Sequence, residues 1–430
     1  MGETRRLRVD MLARVEGEGA VDIEIDDGRV TCARLSIFEP PRLFEAFLRG
    51  RAAEEAPDIT ARICGICPVA YQMSSVNAIE SIYGLDPGPE IRALRRLLYC
   101  GEYIESHALH MVLLHAPDFL GFEDGLAMAA EHGEIVKRAL FVKKTGNTLM
   151  SVVAGREVHP INVRVGGFYR APRHAELAAM QPAIARARDD MVAILRWAGN
   201  FTYPDLEQDW ELVALRHPAE YPLIDGRIAS TGGIDIPFTA FDEEFEEVHH
   251  PHSTSLYGRV KSRGTYLTGP LARYALNYEC LPPHIQALAK EVGLGPVCRN
   301  PYKSILVRGI ETVYACEEAL RIIGAYREPT PASVPYTPCA GVGAWATEAP
   351  RGMLWHRYEV DGEGTILNAR IVPPTAQNQA AIDADVLTMA NRHVKESDTA
   401  LQLACETAVR NHDPCISCSC HFLKLNVTRR

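Results

Sequence analysis

Cys64-Gly65-Ile66-Cys67 lies near the start of this 430-residue chain, and a second Cys-x-x-Cys pair, Cys415-Ile416-Ser417-Cys418, lies near its end. Four thiolates from two such distant segments can meet only at a metal site or as disulfides. In either case the intervening chain has to bring the two pairs together. We therefore expect a fold whose two ends converge on one central site.

A site with four thiolates has three common uses, which are structural zinc, a rubredoxin-like iron and a nickel centre. Zinc ribbons usually connect their cysteine pairs through roughly 12–20 residues. Here residues 68–414 separate Cys67 from Cys415. The spacing within each pair favours structural zinc, whereas the long separation favours a cofactor site at the centre of a large fold.

The composition is that of an acidic globular protein. Hydrophobic residues make up 47% of the chain and charged residues 23%, and the formal net charge is −10. This charge argues against a nucleic-acid partner, because phosphate binding needs clustered Lys and Arg. No apolar signal core follows the charged N-terminus and no run of ~18 apolar residues occurs, so we expect neither an export signal nor a membrane span.

The cysteines outside the two pairs predict no second redox centre. Twelve cysteines in 430 residues do not make a disulfide-dense scaffold. No remaining set has the tight spacing of a four-cysteine iron-sulfur cluster, and no G-x-G-x-x-G motif for a dinucleotide stands out. If electrons leave this protein, a partner has to carry them.

Hydrophobic periodicity predicts a mainly α fold with small antiparallel β elements (α+β), in a single domain spanning residues 1–430. The N-terminal part, about residues 1–40, alternates apolar and polar over 6–15 and 20–38, which predicts an antiparallel meander. A second hairpin is predicted at 356–372, and the histidine-rich segment 248–252 is interpreted as a solvated loop. Apolar residues at three-to-four spacing predict helices over 71–84, 90–115, 123–142, 173–200, 282–292, 309–325 and 376–410.

Segments beyond the two cysteine pairs are spread over essentially the whole chain, and in number, order and spacing they resemble the large (catalytic) subunit of nickel-iron hydrogenases. The chain looks most like the cytoplasmic, cofactor-coupled group, which includes NAD(P)-linked bidirectional enzymes and sulfhydrogenase alpha subunits. The resemblance implies the large-subunit fold with its helical core. The segments that carry it are Arg62–Pro68, Asp413–His421, Arg14–Gly17, Phe44-Glu45 with Leu48–Arg51, Ser106-His107 with His110, Gly155–Pro160, Ala349–Gly352 and Ile371–Asn378.

The resemblance implies a nickel ion held by Cys64, Cys67, Cys415 and Cys418. Cys67 and Cys418 would also bridge to an iron that carries carbon monoxide and two cyanide ligands. Soft sulfur donors suit such metals. Cys415 would accept the proton when dihydrogen splits, and Glu16 would relay that proton away from the site.

Further residues are implied around the metal pair. Arg351 resembles the family arginine that overhangs the metals, where a guanidinium offers hydrogen bonds to a cyanide. The segment Pro373-Pro374-Thr375 corresponds to the lining of the cyanide ligands. Two positions depart from the family pattern: Pro374 replaces a common Ser or Thr, and Tyr71 replaces a common His.

A second metal, magnesium or a similar divalent cation near the C-terminus, is implied by Glu45, the backbone carbonyl of Arg370 and His421. Family precursors are commonly cut after the histidine that matches His421. Residues 422–430 are therefore expected to be a removable extension, cut by an endopeptidase after maturation factors insert the metals. We expect the chain that retains this extension to be inactive.

The leading hypothesis is an enzyme that converts dihydrogen reversibly into protons and electrons. The electrons would pass to an iron-sulfur small subunit, and on through flavin and iron-sulfur (diaphorase) subunits to NAD(P) or a similar acceptor, in the cytoplasm. Two alternatives stay open at this point. One is a non-catalytic electron-transfer or proton-pump subunit derived from a hydrogenase, and the other is a structural protein stapled by zinc.

Overall fold

The computed structural model describes residues 4–420, and about half of these are helical. The strands are β1 Thr4–Val9, β2 Gly19–Asp26, β3 Arg29–Ile37, β4 Val163–Arg164, β5 Gly167–Phe168, β6 Glu211–Arg216, β7 Arg227–Ser230, β8 Asp235–Ile236, β9 Phe245–His249, β10 Leu256–Val260, β11 Tyr266–Leu267, β12 Gly341–Ala349, β13 Gly352–Val360 and β14 Ile366–Val372.

The helices vary from single turns to thirty residues. They are α1 Phe44–Leu48, α2 Ala56–Thr60, α3 Pro68–Tyr83, α4 Pro89–Ala108, α5 Ala116–Leu120, α6 Gly125–Ala154, α7 His174–Ala178, α8 Gln181–Ala198, α9 Phe241–Glu244, α10 Pro270–Asn277, α11 Pro283–Glu291, α12 Ser304–Gly324, α13 Pro374–His393, α14 Asp398–Asn411 and α15 Ile416–Ser419.

The N-terminal meander is the antiparallel sheet β1-β2-β3. Its β2–β3 turn has positive φ at Asp27 (47°) and Gly28 (72°), as a tight two-residue hairpin requires. Val21, Ile23 and Ile25 are buried in one apolar cluster with residues of α13 and α14. The strand predicted over 6–15 ends at Val9, and the irregular segment that follows carries Glu16 toward the second cysteine pair.

The main core is formed by α3, α4, α6, α8 and α12. α4 and α6 cross closely at two glycines. A Cβ on Gly146 would lie 2.6 Å from the Gly101 carbonyl oxygen, so glycine at this position allows the close approach. A π-helical turn, Leu109–His115, continues α4 and places His110 and His115 against the end of α14. The π-helical turn therefore packs on the segment that leads into the second cysteine pair.

The predicted helices exist, but several bounds differ. The helix predicted over 123–142 continues to Ala154. The one predicted over 173–200 is two helices, α7 and α8, separated by a turn at Ala179-Met180. The one predicted over 376–410 is also two helices, because Ser397 caps a new helix by accepting the Ala400 N–H. The predicted hairpin at 356–372 is β13–β14, and the sequence analysis missed its third strand, β12. Of the histidine-rich segment, residues up to His249 belong to β9 and the rest is loop.

The remaining strands form smaller sheets. β6, β7, β8 and β11 form a four-stranded sheet in which only the β6–β11 pair is parallel, and β9–β10 is a hairpin. None of the helices in residues 4–420 combines the length and the apolar character that crossing a membrane requires.

Candidate metal centre

The first cysteine pair lies in the turn that starts α3. Pro68 occupies the first helical position, where a missing N–H costs nothing, and Cys67 is the residue before it. The buried carboxylate of Glu102 accepts the free N–H groups of Val69 at 2.7 Å and Ala70 at 3.2 Å. These hydrogen bonds fix the start of α3 and therefore the position of Cys67.

The second pair lies at the start of α15, with Cys415 just before the helix and Cys418 within it, and the N-terminal segment holds it in place. The Glu16 carbonyl accepts the Ile416 N–H at 2.9 Å. Gly17 follows with φ of 90°, and a Cβ there would lie 2.7 Å from the Cβ of Ile416. Thr375, in the first turn of α13, accepts the Cys415 N–H at 2.9 Å. Residues from both ends of the chain thus position Cys415.

The four sulfur atoms of Cys64, Cys67, Cys415 and Cys418 all lie within 4.8 Å of one another. The Sγ atoms of Cys64 and Cys415 are 3.4 Å apart, and those of Cys67 and Cys418 are 3.7 Å apart. All four side chains are buried, the most exposed at 3%. Among the described residues this is the one group of three or more Cys, His, Asp or Glu side chains with such spacing.

The surroundings of Cys415 disfavour its thiolate form. Burial, reinforced by the neighbouring thiols, raises the pKa of the Cys415 thiol well above its ordinary value. A metal ion reverses this effect, since a coordinating thiol is deprotonated outright. The arrangement is a dry four-sulfur cage suited to a soft or borderline metal.

Arg351 lies beside the cluster and is buried. Its Nε donates to the Asp413 carbonyl at 2.8 Å and its Nη2 donates to Asp413 Oδ1 at 3.0 Å. Burial disfavours the charge, but Asp413 and the cluster sulfurs, Cys415 foremost, hold the Arg351 pKa well above its usual range. Its Nη1 is buried and has no hydrogen-bond partner within residues 4–420. A buried cation with a spare donor therefore lies close enough to the sulfurs to interact with them electrostatically.

Glu16 directly contacts the cluster. The Cys415 thiol donates to Glu16 Oε2 at 3.0 Å, and the Ser417 N–H donates to the same oxygen at 3.1 Å. The side chain is half-buried, so it lies between the sulfur cage and the surface. This geometry allows a proton to move between a cysteine sulfur and a carboxylate.

The predicted cyanide-lining segment begins α13. Pro373, Pro374 and Thr375 are all buried. The Thr375 hydroxyl accepts the Cys415 N–H, so Thr375 contacts the backbone of one cysteine of the four-sulfur cage. Tyr71 is buried with its ring 5.7 Å from the His356 ring, and its hydroxyl makes no hydrogen bond in the described part of the chain.

Glu45 lies where β14 approaches α1. Its Oε1 accepts the Ile371 N–H at 2.8 Å, so it contacts the peptide bond that joins Arg370 to Ile371. Burial raises the Glu45 pKa to about 7. The Arg370 side chain forms ion pairs with Asp242 and with Glu247. His421 and residues 422–430 lie outside the described residues.

Sequence reasoning missed a residue that connects the two cysteine segments. Arg42 Nη2 donates to the Ile63 carbonyl at 2.7 Å and also to the Ser417 carbonyl, and these carbonyls immediately precede Cys64 and Cys418. The Arg42 N–H donates to the Cys420 carbonyl at 2.6 Å. Arg42 lies three residues before Glu45, but its hydrogen-bond partners are distant in sequence and no local pattern indicates them.

Comparison with known proteins identifies the family. A profile described as nickel-dependent hydrogenase matches residues 42–139. Sulfhydrogenase 1 subunit alpha of Pyrococcus furiosus is 32% identical over 97% of this chain and 98% of its own length. The chain belongs to the nickel-dependent hydrogenase family. It is the catalytic large subunit of a nickel-iron hydrogenase.

Two further relatives agree with this assignment. The hydrogenase is 26% identical to the NAD-reducing hydrogenase HoxS subunit beta of Cupriavidus necator, over 98% of this chain and 95% of the relative. Its fold matches a solved NAD+-reducing [NiFe]-hydrogenase with a TM-score of 0.85 and 27% identity, covering 97% of this chain and 99% of that one. The family decides between the three hypotheses above in favour of the enzyme.

Proposed function

We propose that this hydrogenase cleaves dihydrogen heterolytically and reversibly at the four-cysteine cage, releasing protons and electrons. The observation that carries the proposal is the 3.0 Å hydrogen bond from the Cys415 thiol to the Glu16 carboxylate. It joins a predicted metal ligand to a predicted proton acceptor. A zinc staple needs the four sulfurs but has no use for this carboxylate.

The donor set fits the predicted metals. Cys64, Cys67, Cys415 and Cys418 would hold nickel, and Cys67 and Cys418 would also hold an iron with carbon monoxide and two cyanides. The buried, unpartnered Nη1 of Arg351 supports this proposal, because a cyanide nitrogen would satisfy it. When bound, the metal pair supplies the site of dihydrogen cleavage and accepts its electrons.

The protein's own groups then manage the proton. Cys415 holds the proton at Sγ, and Glu16 Oε2 takes it over the hydrogen bond that already joins them. The Ser417 N–H keeps the Glu16 carboxylate aimed at the sulfur. Burial of all four cysteines excludes water, so the transfer is confined to these groups.

A second cation, magnesium or similar, would bind Glu45, the Arg370 carbonyl and His421. The hydrogen bond from the Ile371 N–H to Glu45 supports this proposal, because it places a carboxylate next to the Arg370 peptide group, and carboxylate and carbonyl oxygens suit such a cation. Removal of residues 422–430 by an endopeptidase, after maturation factors insert the metals, would complete this end of the chain.

Electrons would leave through an iron-sulfur small subunit docked beside the first cysteine pair. Gly65, between Cys64 and Cys67, is exposed, and a Cβ on it would lie 3.9 Å from Val158. Val158 and Ile161 are large apolar side chains that are 47% and 51% exposed. His159 Nδ1 donates to the Ala61 carbonyl at 2.8 Å, which ties this apolar loop to the segment before Cys64. A partner that covered Val158 and Ile161 would therefore lie close to the first cysteine pair.

The final acceptor would be NAD(P) or a similar carrier in the cytoplasm, reached through flavin and iron-sulfur subunits. The likeness to NAD-reducing and sulfhydrogenase proteins supports this. The test is to purify the chain with its native partners and to measure hydrogen-dependent reduction of NAD+, NADP+ and elemental sulfur. Nicotinamide reduction is the expected result. Reduction of an artificial dye without reduction of either nicotinamide would contradict the acceptor and leave the hydrogenase assignment standing.

A further inference from the structure

A second carboxylate, Glu39, lies close to Glu16 and is partly exposed. Ser417 binds both acids: its N–H donates to Glu16 Oε2 at 3.1 Å, and its hydroxyl donates to Glu39 Oε2 at 2.9 Å. The two carboxylates are therefore joined by a single residue. No local sequence pattern marks Glu39, which lies in the segment between β3 and α1.

The surroundings of Glu39 suit a group that exchanges protons with solvent. Its side chain is 15% exposed, and Phe38 and Pro40 on either side of it are exposed. Arg42 Nε lies 3.9 Å from Oε1, and the Glu18 N–H donates to Oε2 at 3.3 Å. A Cβ on Gly17 would lie 2.7 Å from Oε2, so the carboxylate reaches Ser417 only because this position is glycine.

We propose that Glu39 is the proton acceptor after Glu16, with the Ser417 hydroxyl between them. This inference rests on the proposed function. The protonated Glu16 gives its proton to Ser417 Oγ while the Ser417 hydroxyl proton moves to Glu39 Oε2. Glu16 becomes a carboxylate, Ser417 stays neutral, and Glu39 then releases the proton to water. No electrons move in these steps.

The remaining step is the transfer from Glu16 to the Ser417 hydroxyl. Glu16 Oε2 already lies against the Ser417 nitrogen. Rotation about the terminal torsion of Glu16, which is soft, or one bridging water carries the proton from there to Oγ. Reverse transfer along the same groups would supply the proton for dihydrogen formation.

The experiment compares Glu39→Gln, Ser417→Ala and the control Glu18→Gln in the assembled enzyme. Glu18 is an exposed glutamate whose substitution removes the same charge nearby but keeps its backbone N–H. Exchange of D2 with H2O, followed by mass spectrometry, needs no electron acceptor and reports cleavage together with proton exit. We expect Glu39→Gln and Ser417→Ala to slow exchange roughly 10- to 100-fold. Glu18→Gln should behave as wild type.

Two readouts besides activity separate a relay from a structural role. Nickel and iron content and the thermal midpoint should be unchanged in Glu39→Gln. In the metal-free protein, the infrared carboxylate band that Glu39→Gln removes should shift in Ser417→Ala, because that band reports the hydrogen bond. Glu39→Asp should recover part of the exchange rate.

The outcomes are distinct. Exchange in Glu39→Gln within about twofold of wild type, in metal-loaded protein, would overturn the relay while leaving the proposed function intact. Absence of exchange in fully metal-loaded wild type would overturn both. Slow exchange in Glu18→Gln as well would show that charge alone, and not the hydrogen-bonded chain, is responsible, which also overturns the relay.

Discussion

The Cys415 thiol donates a hydrogen bond to the Glu16 carboxylate at 3.0 Å, although 399 positions separate the two residues in sequence. The contact depends on the whole fold, because the N-terminal meander and the C-terminal helix have to meet at one place. A backbone hydrogen bond from Ile416 to Glu16 holds the same junction. The two ends of the chain therefore assemble the proton-handling part of the site together.

Glu16→Gln should retain both metals and lose most activity. The amide keeps the shape of the side chain but cannot carry the proton from Cys415. We expect hydrogen-dependent dye reduction to fall roughly 100-fold or more. Glu18→Gln, two residues away and exposed, is the matched control and should behave as wild type. Activity in Glu16→Gln comparable to wild type would rule out the proposed relay.

Cys64→Ser should fail to retain nickel, whereas Cys420→Ser should retain it. Serine replaces a soft sulfur with a hard oxygen, which is a poor ligand for this metal. Cys420 is also buried and lies two residues from Cys418, but it is not a member of the four-sulfur cage. Elemental analysis of the two purified variants makes the comparison. Equal nickel content in both would contradict the cage.

Arg42→Gln should weaken metal retention without removing a ligand. The guanidinium donates to the carbonyls that precede Cys64 and Cys418, so its loss lets the two halves of the cage separate. We expect a stability loss of about 1–3 kcal/mol and a 10- to 100-fold drop in apparent metal affinity. Arg51→Gln, an exposed arginine nearby, is the control. Unchanged nickel after treatment with a chelator would show that Arg42 is dispensable.

Arg351→Lys should lower activity and stability together. Lysine keeps the charge but has a single nitrogen, so it cannot form the two-point contact with Asp413 and also supply the further donor that Nη1 provides. Loss of one buried hydrogen bond costs about 1–3 kcal/mol, and we expect activity to fall at least tenfold. Urea unfolding and dye reduction on the same preparation measure both effects. A variant with normal activity and reduced stability would limit Arg351 to a structural role.

Because His107 is buried, we expect the folded protein to lose stability in acid. An unfolded histidine titrates near 6.5, whereas burial lowers the pKa of folded His107 to about 4, although Glu311 beside it favours the charged form. Between these values the unfolded state binds more protons, so stability falls as the pH drops from 6.5 to 4, by about 3 kcal/mol from this group.

The variant His107→Gln tests this pH dependence. Its thermal midpoint should fall less than that of wild type between pH 6.5 and 4.5, since the amide does not titrate. His174→Gln, which removes an exposed histidine, should follow wild type. Identical pH dependence in all three proteins would show that His107 does not limit acid stability.

The sequence predicted most elements and the convergence of the two cysteine pairs, since periodicity and cysteine spacing can be recognised in the sequence alone. The meander, the β13–β14 hairpin and helices such as α3 and α4 are where apolar spacing predicts them. Element bounds depend on local contacts that periodicity does not show, such as the cap formed by Ser397. The geometry around the four cysteines could not be predicted from local patterns. Arg42, Glu102 and Glu39 have hydrogen-bond partners far along the chain.

Infrared spectroscopy of the processed enzyme, purified with its partners, is the decisive test of the nickel-iron site. Nickel and iron should be quantified on the same sample. We expect metal-bound carbon monoxide and cyanide stretches together with nickel and iron in each chain. Zinc without such bands would contradict the nickel-iron site and every role proposed here for the residues around it.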